Sequence, residues 1–328
     1  MPAWTRRAAL AGAGLLATRI AAAEPAFDRP LRLVLPFAPG GSTDISGRLL
    51  AEQMRQSLGQ PVVVENRPGA NGLLALEAVA RSRPDGTTLM LGNVTTNGTA
   101  PLLAGPRLGF DYERDMQAVT RIADVPSLLV ATAANFVPQS LAEVVALARE
   151  RPGRLNYFST GVGSYTHLDT VLLARAAGID VVHVVLSGGA GPSLQTVIAG
   201  DVQFGFMNAA TATPMVRDGR LKALAVTGER RLAEWPAVPT MAEAGYPGIG
   251  TSAWHVLMLP SGVPEPAQQA VFAAARAALG SEPVLAAFRR QSIQPTPSAS
   301  IAEARDWMRA ELAAWRRILR QTAIATAD

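Results

Sequence analysis

Residues 31–45, LRLVLPFAPGGSTDI, decide the reading of this chain. The apolar run Leu31, Leu33, Val34 and Leu35 predicts a buried strand that ends at Pro36. The paired glycines Gly40-Gly41 then make an elbow whose backbone N–H groups can face outward, and Gly41 is read as a position that needs glycine's conformational freedom. Ser42-Thr43-Asp44 follow as candidate caps of a helix. A helix N-terminus exposes unpaired N–H groups with a partial positive charge, so the whole unit can cradle an anion. An ordinary capped turn carries the same signature, and a second elbow is needed to choose between the two readings.

The chain has one. Asn156–Leu168, NYFSTGVGSYTHL, again runs from a strand through a glycine elbow (Gly161, Gly163) into a helix that starts near Ser164. Two helix N-termini facing each other across a cleft would hold an anion with neutral donors and no arginine. A third glycine cluster, Ser187–Pro192, also joins a strand to a helix. Asn93, Asn97 and Asn208 each follow a predicted strand and offer amide donors and acceptors for a small polar ligand.

Short apolar runs alternate with amphipathic stretches throughout, which predicts an α/β fold with mostly parallel sheets flanked by helices. The predicted strands cover 31–35, 62–65, 88–92, 127–131, 156–159, 181–185, 202–206, 223–227 and 253–259. Met308, Leu312, Trp315 and Leu319 form a helical stripe that faces a core and binds nothing. No low-complexity linker divides the chain, so it should cross between two lobes near Pro126 and near Thr251–Trp254. Residues 24–126 with 253–328 then form one lobe and 127–252 the other.

Arg6-Arg7, an apolar stretch of small residues and Ala21-Ala22-Ala23 read as a secretory signal peptide over residues 1–23, with Thr5-Arg6-Arg7 also admitting the twin-arginine route. Formal net charge is +4, and three of the positive charges, Arg6, Arg7 and Arg19, belong to that leader. No basic run is interleaved with aromatics, which argues against nucleic acid as a partner. Cysteine is absent, so disulfides, thiolate metal sites and a cysteine nucleophile are excluded. Phosphate-loop and G-x-S-x-G signatures are missing, and His167, Asp169 and His183 lack metal-ligand spacing. Ser164 and His167 could share a helix face as a hydrolase pair, but the sequence offers no carboxylate to orient them.

Several ordered segments carry a further signal: VLPFAPGGSTD (34–44), VVVENRPGANG (62–72), RPDGTTLML (83–91), GDVQFGFMN (200–208), GRLKALAVT (219–227) and VPTMAEAG (238–245). Through them the chain resembles the substrate-binding receptors of tripartite tricarboxylate transporters, the Bug-type periplasmic receptors. The resemblance implies a two-lobed Venus-flytrap fold, type II-like, acting as a monomer without a cofactor, metal or catalytic residue. It implies a periplasmic receptor that closes on a small carboxylate and presents it to membrane permease subunits. A sensor of the same fold serving a two-component system and an exported hydrolase using Ser164 and His167 are the alternatives.

Carried over position by position, Phe37, Ala38, Pro39, Gly40, Gly41, Thr43 and Asp44 would form the first wall of the site. Thr160, Gly163, Ser164 and His167 would form the second, with Asn208 reaching in from a strand end. Asn93 joins them as a candidate contact through its own place at a strand end, apart from the resemblance. Two departures bear on the ligand. Phe206-Met207-Asn208 stands where relatives commonly have Phe-Asp-Asn, which disfavours an amino acid. Val185-Leu186-Ser187 replaces the usual Pro-Tyr and basic residue at the rim.

Overall fold

The computed structural model describes residues 27–186 and 190–322, so the leader and the Ser187-Gly188-Gly189 part of the third glycine cluster lie outside the described residues. The strands, in chain order, are β1 (Leu31–Leu35), β2 (Val62–Asn66), β3 (Thr88–Asn93), β4 (Met116–Val125), β5 (Ser127–Thr132), β6 (Asn156–Ser159), β7 (Val182–Val185), β8 (Phe204–Asn208), β9 (Leu221–Val226), β10 (Ala253–Pro260) and β11 (Gln294–Pro295). They form two sheets, ordered β11-β4-β10-β3-β1-β2 and β7-β6-β8-β5-β9. Each sheet is flanked by helices and makes one lobe. The chain passes from the first to the second at Pro126, between β4 and β5, and returns through Thr251-Ser252 into β10. No single helix among the described residues is long and apolar enough to cross a membrane.

The sheets are less parallel than the alternation of strands and helices predicts. Parallel pairing links β1 to β2 and β3, and β6 to β7 and β8, where helices provide the crossovers. The strands next to the passages between lobes pair antiparallel: β10 with β3 and β4, and β5 with β8 and β9. A strand entering from the other lobe has no crossover helix to fix its direction. The ten-residue β4 has no counterpart among the predicted strands because Gln117, Arg121 and Asp124 interrupt its apolar pattern. Arg121 and Asp124 pair with each other at 2.7 Å, and Gln117 donates to the Pro260 carbonyl at 3.1 Å, so the sheet accommodates all three.

The first lobe buries Leu33, Leu35, Met90 and Leu257 together with Met308, Leu312, Trp315 and Leu319, the predicted stripe of the last helix, Ile301–Thr322. Tyr165 and Leu168, from the second lobe, join the same core, which places the start of the helix Tyr165–Ala177 against the first lobe. Further along that helix the Arg175 guanidinium donates to the carbonyls of Gln321 (2.6 Å) and Thr322 (2.7 Å), closing the C-terminal end of the last helix from across the cleft.

Gly205 in β8 lies against Phe158 in β6. A Cβ there would meet two ring carbons of Phe158 at 2.6 Å and its backbone oxygen at 2.8 Å, and a backbone oxygen cannot swing away. Gly205→Val is therefore expected to destabilise the protein by about 1–3 kcal/mol through overpacking. Chemical denaturation measures this, and an unchanged midpoint would contradict the close packing of β6 on β8.

Candidate functional site

The first elbow runs from β1 into the helix Ser42–Leu58. Its N-cap is Gly41, at φ −86° and ψ 170°, and no side chain caps it. This corrects two readings of the sequence. Gly41 has extended backbone that any residue can adopt, whereas Gly40, at φ +94°, is the one that needs glycine. Ser42, Thr43 and Asp44 are in the first helical turn, so their N–H groups have no intrahelical acceptor and their side chains are free for other work.

That work is a buried polar chain. His255, in β10, places Nδ1 3.1 Å from Ser46 Oγ and Nε2 3.3 Å from Ser42 Oγ and 3.4 Å from Thr43 Oγ1. Ser42 Oγ donates to Asn208 Oδ1 of the second lobe at 3.1 Å. A hydroxyl has one proton, so Ser42 must accept from His255, which fixes the Nε2–H tautomer and leaves Nδ1 to accept from Ser46. Asn93 Nδ2 donates to Thr43 Oγ1 at 3.3 Å, which leaves the Thr43 hydroxyl proton to serve the cleft. At the far end, Asn208 has its oxygen engaged by Ser42, while its buried Nδ2 lies toward the Tyr165 hydroxyl without a well-formed hydrogen bond to any described residue.

Ser42, Thr43, Asn93 and Asn208 of this chain of bonds line a cavity of about 40 Å³ between the lobes, with His255 behind them. Its first-lobe wall is Phe37, Ala38, Gly41, Ser42, Thr43, Asp44, Asn93 and Thr95. The second lobe adds Phe158, Thr160, Tyr165, Thr166, Phe206, Met207 and Asn208. Phe37 and Thr160 also border an outer chamber of about 320 Å³ at the cleft mouth. Among the described residues no Lys or Arg lines the inner cavity. Its one acid, Asp44, is already saturated: it accepts from Arg48 Nε (3.0 Å), Asn66 Nδ2 (3.0 Å) and Gly40 N–H (3.1 Å). Burial works to raise its pKa, but those bonds and the Arg48 charge outweigh it and hold the carboxyl below its ordinary value. Asp44 thus braces the elbow.

Several predicted residues stand outside the inner cavity. Pro39 and Gly40 are exposed on the outer side of the elbow. Asn97 is buried elsewhere and donates to Tyr112 OH at 3.1 Å. Ser164 is the N-cap of the second helix: its Oγ accepts from His167 N–H at 3.3 Å and donates to the Gly161 carbonyl at 2.8 Å. His167 Nδ1 accepts from Gly163 N–H at 3.1 Å, and its ring stacks on His183 with centroids 4.2 Å apart. Burial, then the neighbouring His183, pushes the His167 pKa down to about 4. The Ser164 hydroxyl and the His167 ring are therefore committed to different partners.

The second elbow needs its glycines for closeness. A Cβ on Gly161 (φ +152°) would sit 2.2 Å from Asn71 Oδ1, and one on Gly163 (φ +79°) 2.1 Å from Leu103 Cδ1, both partners belonging to the first lobe. Asn71 Nδ2 donates to the Val162 carbonyl at 2.8 Å, which bridges the mouth. Sequence reasoning left Ser42, His255, Tyr165 and Thr166 out of the site. Ser42 was read as a cap, and His255 is surrounded in sequence only by apolar strand residues.

A two-lobed α/β fold with a neutral, donor-lined cleft between the lobes defines a solute-binding protein of the periplasmic type. A profile described as tripartite tricarboxylate transporter family receptor (TctC) matches residues 47–324, beginning just past the first elbow. The chain belongs to this family. It is 35% identical to the protein BugT of Bordetella pertussis over 95% of this chain and 94% of that one. Among solved structures it is similar to R. palustris Rpa4515 with adipate (TM-score 0.85, 32% identity, 91% of this chain and 98% of that one). It is also similar to MatC (Rpa3494) from Rhodopseudomonas palustris with bound malate (TM-score 0.82, 32% identity, 89% and 99%).

Burial pushes the pKa of His255 in the folded protein from 6.5 down to about 3. The unfolded chain takes a proton near 6.5 that the folded chain refuses, so this stability is present above 6.5 and drains as pH falls toward 3. Asp169, raised by burial to about 7 against the pull of its two bonds from Thr251, acts oppositely and stabilises as pH falls through 7. His255→Gln should therefore flatten the acid-side loss of stability measured by denaturant unfolding below pH 6.5. An unchanged slope would contradict the buried neutral imidazole.

Proposed function

We propose that this protein is an exported receptor that closes on a small carboxylate and delivers it to the membrane subunits of a tripartite tricarboxylate-type transporter. The observation that carries the reading is the buried Asn208 Nδ2, a donor with only the Tyr165 hydroxyl nearby and no well-formed hydrogen bond, in a cavity lined by hydrogen-bonding groups. A buried orphan donor costs about 1–3 kcal/mol, a cost that a ligand oxygen would remove. Ser42 and Thr43 line the cavity from one lobe and Tyr165 and Thr166 from the other. Each pair is in the first turn of a helix, where N–H groups lack intrahelical acceptors, and in this reading one carboxylate accepts from both. Because the ligand touches both walls only when the lobes are together, it favours the closed form by that difference in contacts. The hinge lies at Pro126 and Thr251-Ser252, and residues 24–126 with 253–328 move against 127–252.

Phe37, Ala38, Gly41, Thr43, Asn93, Thr160 and Asn208 supply the ligand contacts in this reading. Pro39, Gly40, Asp44, Gly163, Ser164 and His167 shape and brace the two elbows. With Met207 in the wall and Asp44 occupied by Arg48, no free carboxylate awaits an ammonium group, which favours acids without one. Adipate and malate, bound by the two similar receptors, are the first compounds to try.

A thermal-shift screen of carboxylic acids tests the function, because a ligand of the folded state raises Tm by mass action. A dicarboxylate such as malate or adipate is expected to raise it, and a screen of carboxylates that leaves Tm unmoved would contradict the reading. For the acid that responds, Asn208→Leu should weaken calorimetric binding at least tenfold. It removes the Nδ2 donor but also the acceptor of the buried Ser42 hydroxyl, so the unliganded Tm is expected to fall modestly while the protein stays folded.

A further inference from the structure

A second cavity, of about 270 Å³, opens on the first lobe away from the cleft, between β4, β10, the short helix Tyr112–Asp115 and the last helix. Its floor is apolar: Met116, Met258, Met308 and Leu312 line it and are all buried. At its side stands Arg305. The Nη2 group of Arg305 donates to Gln117 Oε1 (2.5 Å) and Gln268 Oε1 (2.7 Å). Both amides are themselves fixed, Gln117 by donating to the Pro260 carbonyl (3.1 Å) and Gln268 to that of Val263 (2.6 Å).

This leaves a preorganised cation with no carboxylate partner among the described residues. A guanidinium carries five N–H donors, and two are used here. The two on Nη1 and the buried Nε–H have no acceptor among the described residues. The other charged residues at the cavity differ, since Arg309 pairs with Asp306 and Glu113 with Arg316. Amide acceptors hold the guanidinium in place without neutralising it, which suits a site whose counter-charge arrives with a ligand.

We propose that this cavity is a second solute site, taking an amphipathic monocarboxylate whose head accepts from Arg305 and whose apolar chain lies on Met116, Met258 and Met308. Methionine side chains adapt to irregular apolar groups and do not demand one shape. All the lining residues belong to the first lobe, so occupancy is independent of lobe closure and of the cleft ligand.

The experiment is a titration of full-length mature protein carrying ¹³C-methyl methionine with hexanoate, followed by NMR. The methyl signals of Met116, Met258 and Met308 are expected to move together and saturate, with hexanol at least tenfold weaker. Arg305→Gln should weaken hexanoate at least tenfold, and Asn208→Leu should leave it unchanged, which separates this site from the cleft. Unmoved methyl signals, or equal responses to hexanoate and hexanol, would overturn the proposal and leave Arg305 as a bridge between the last helix and its neighbours. That role predicts a lower Tm for Arg305→Gln and nothing more.

Discussion

The proposed anion cleft requires hydrogen-bond donors kept dry and unspent, and one buried chain of bonds meets that constraint. Ser46 donates to His255, His255 to Ser42, and Ser42 to Asn208 across the cleft, so each group directs its donor to the next and the last one, Asn208 Nδ2, stands at the cavity. The chain requires a neutral imidazole, and burial of His255 supplies it. Were the imidazole charged, both nitrogens would donate and Ser46 could no longer give its proton to the ring, although Ser42 would still accept from Nε2–H.

Closeness of the lobes depends on the same economy of groups. Gly161 and Gly163 let Asn71 and Leu103 of the first lobe approach to distances that any side chain would forbid. The loop that delivers Asn71 is itself unusual, because Gly69, Ala70, Asn71 and Gly72 all have positive φ. Two of these are not glycine, a conformation worth about 1–3 kcal/mol of strain each where it is held by surrounding contacts. The bond from Asn71 to the Val162 carbonyl is one such contact, and it forms only with the lobes together.

Much of this was legible in the chain because it is local. The two strand–elbow–helix units, the stripe at Met308, Leu312, Trp315 and Leu319, and the lack of arginine at the cavity follow from spacing and composition. What was not legible is long-range. Nothing near His255 in sequence indicates that a residue more than two hundred positions earlier will take its proton. The strand β4 is hidden for a related reason, since Arg121 and Gln117 look like surface residues until their partners Asp124 and Pro260 are in place. Ser42 was legible as a residue but not as a role, because a cap and a relay share the same hydroxyl, and only the Gly41 N-cap decides between them.

The account turns on the Asn208 side-chain amide meeting a ligand oxygen. Its ¹⁵N–¹H signals, followed while the carboxylate identified by screening is titrated in, measure that contact directly. They should move downfield and saturate at the same ligand concentration as the backbone amides of Ser42 and Thr43. Saturable binding that leaves the Asn208 side-chain signals in place would contradict the clamp of neutral donors.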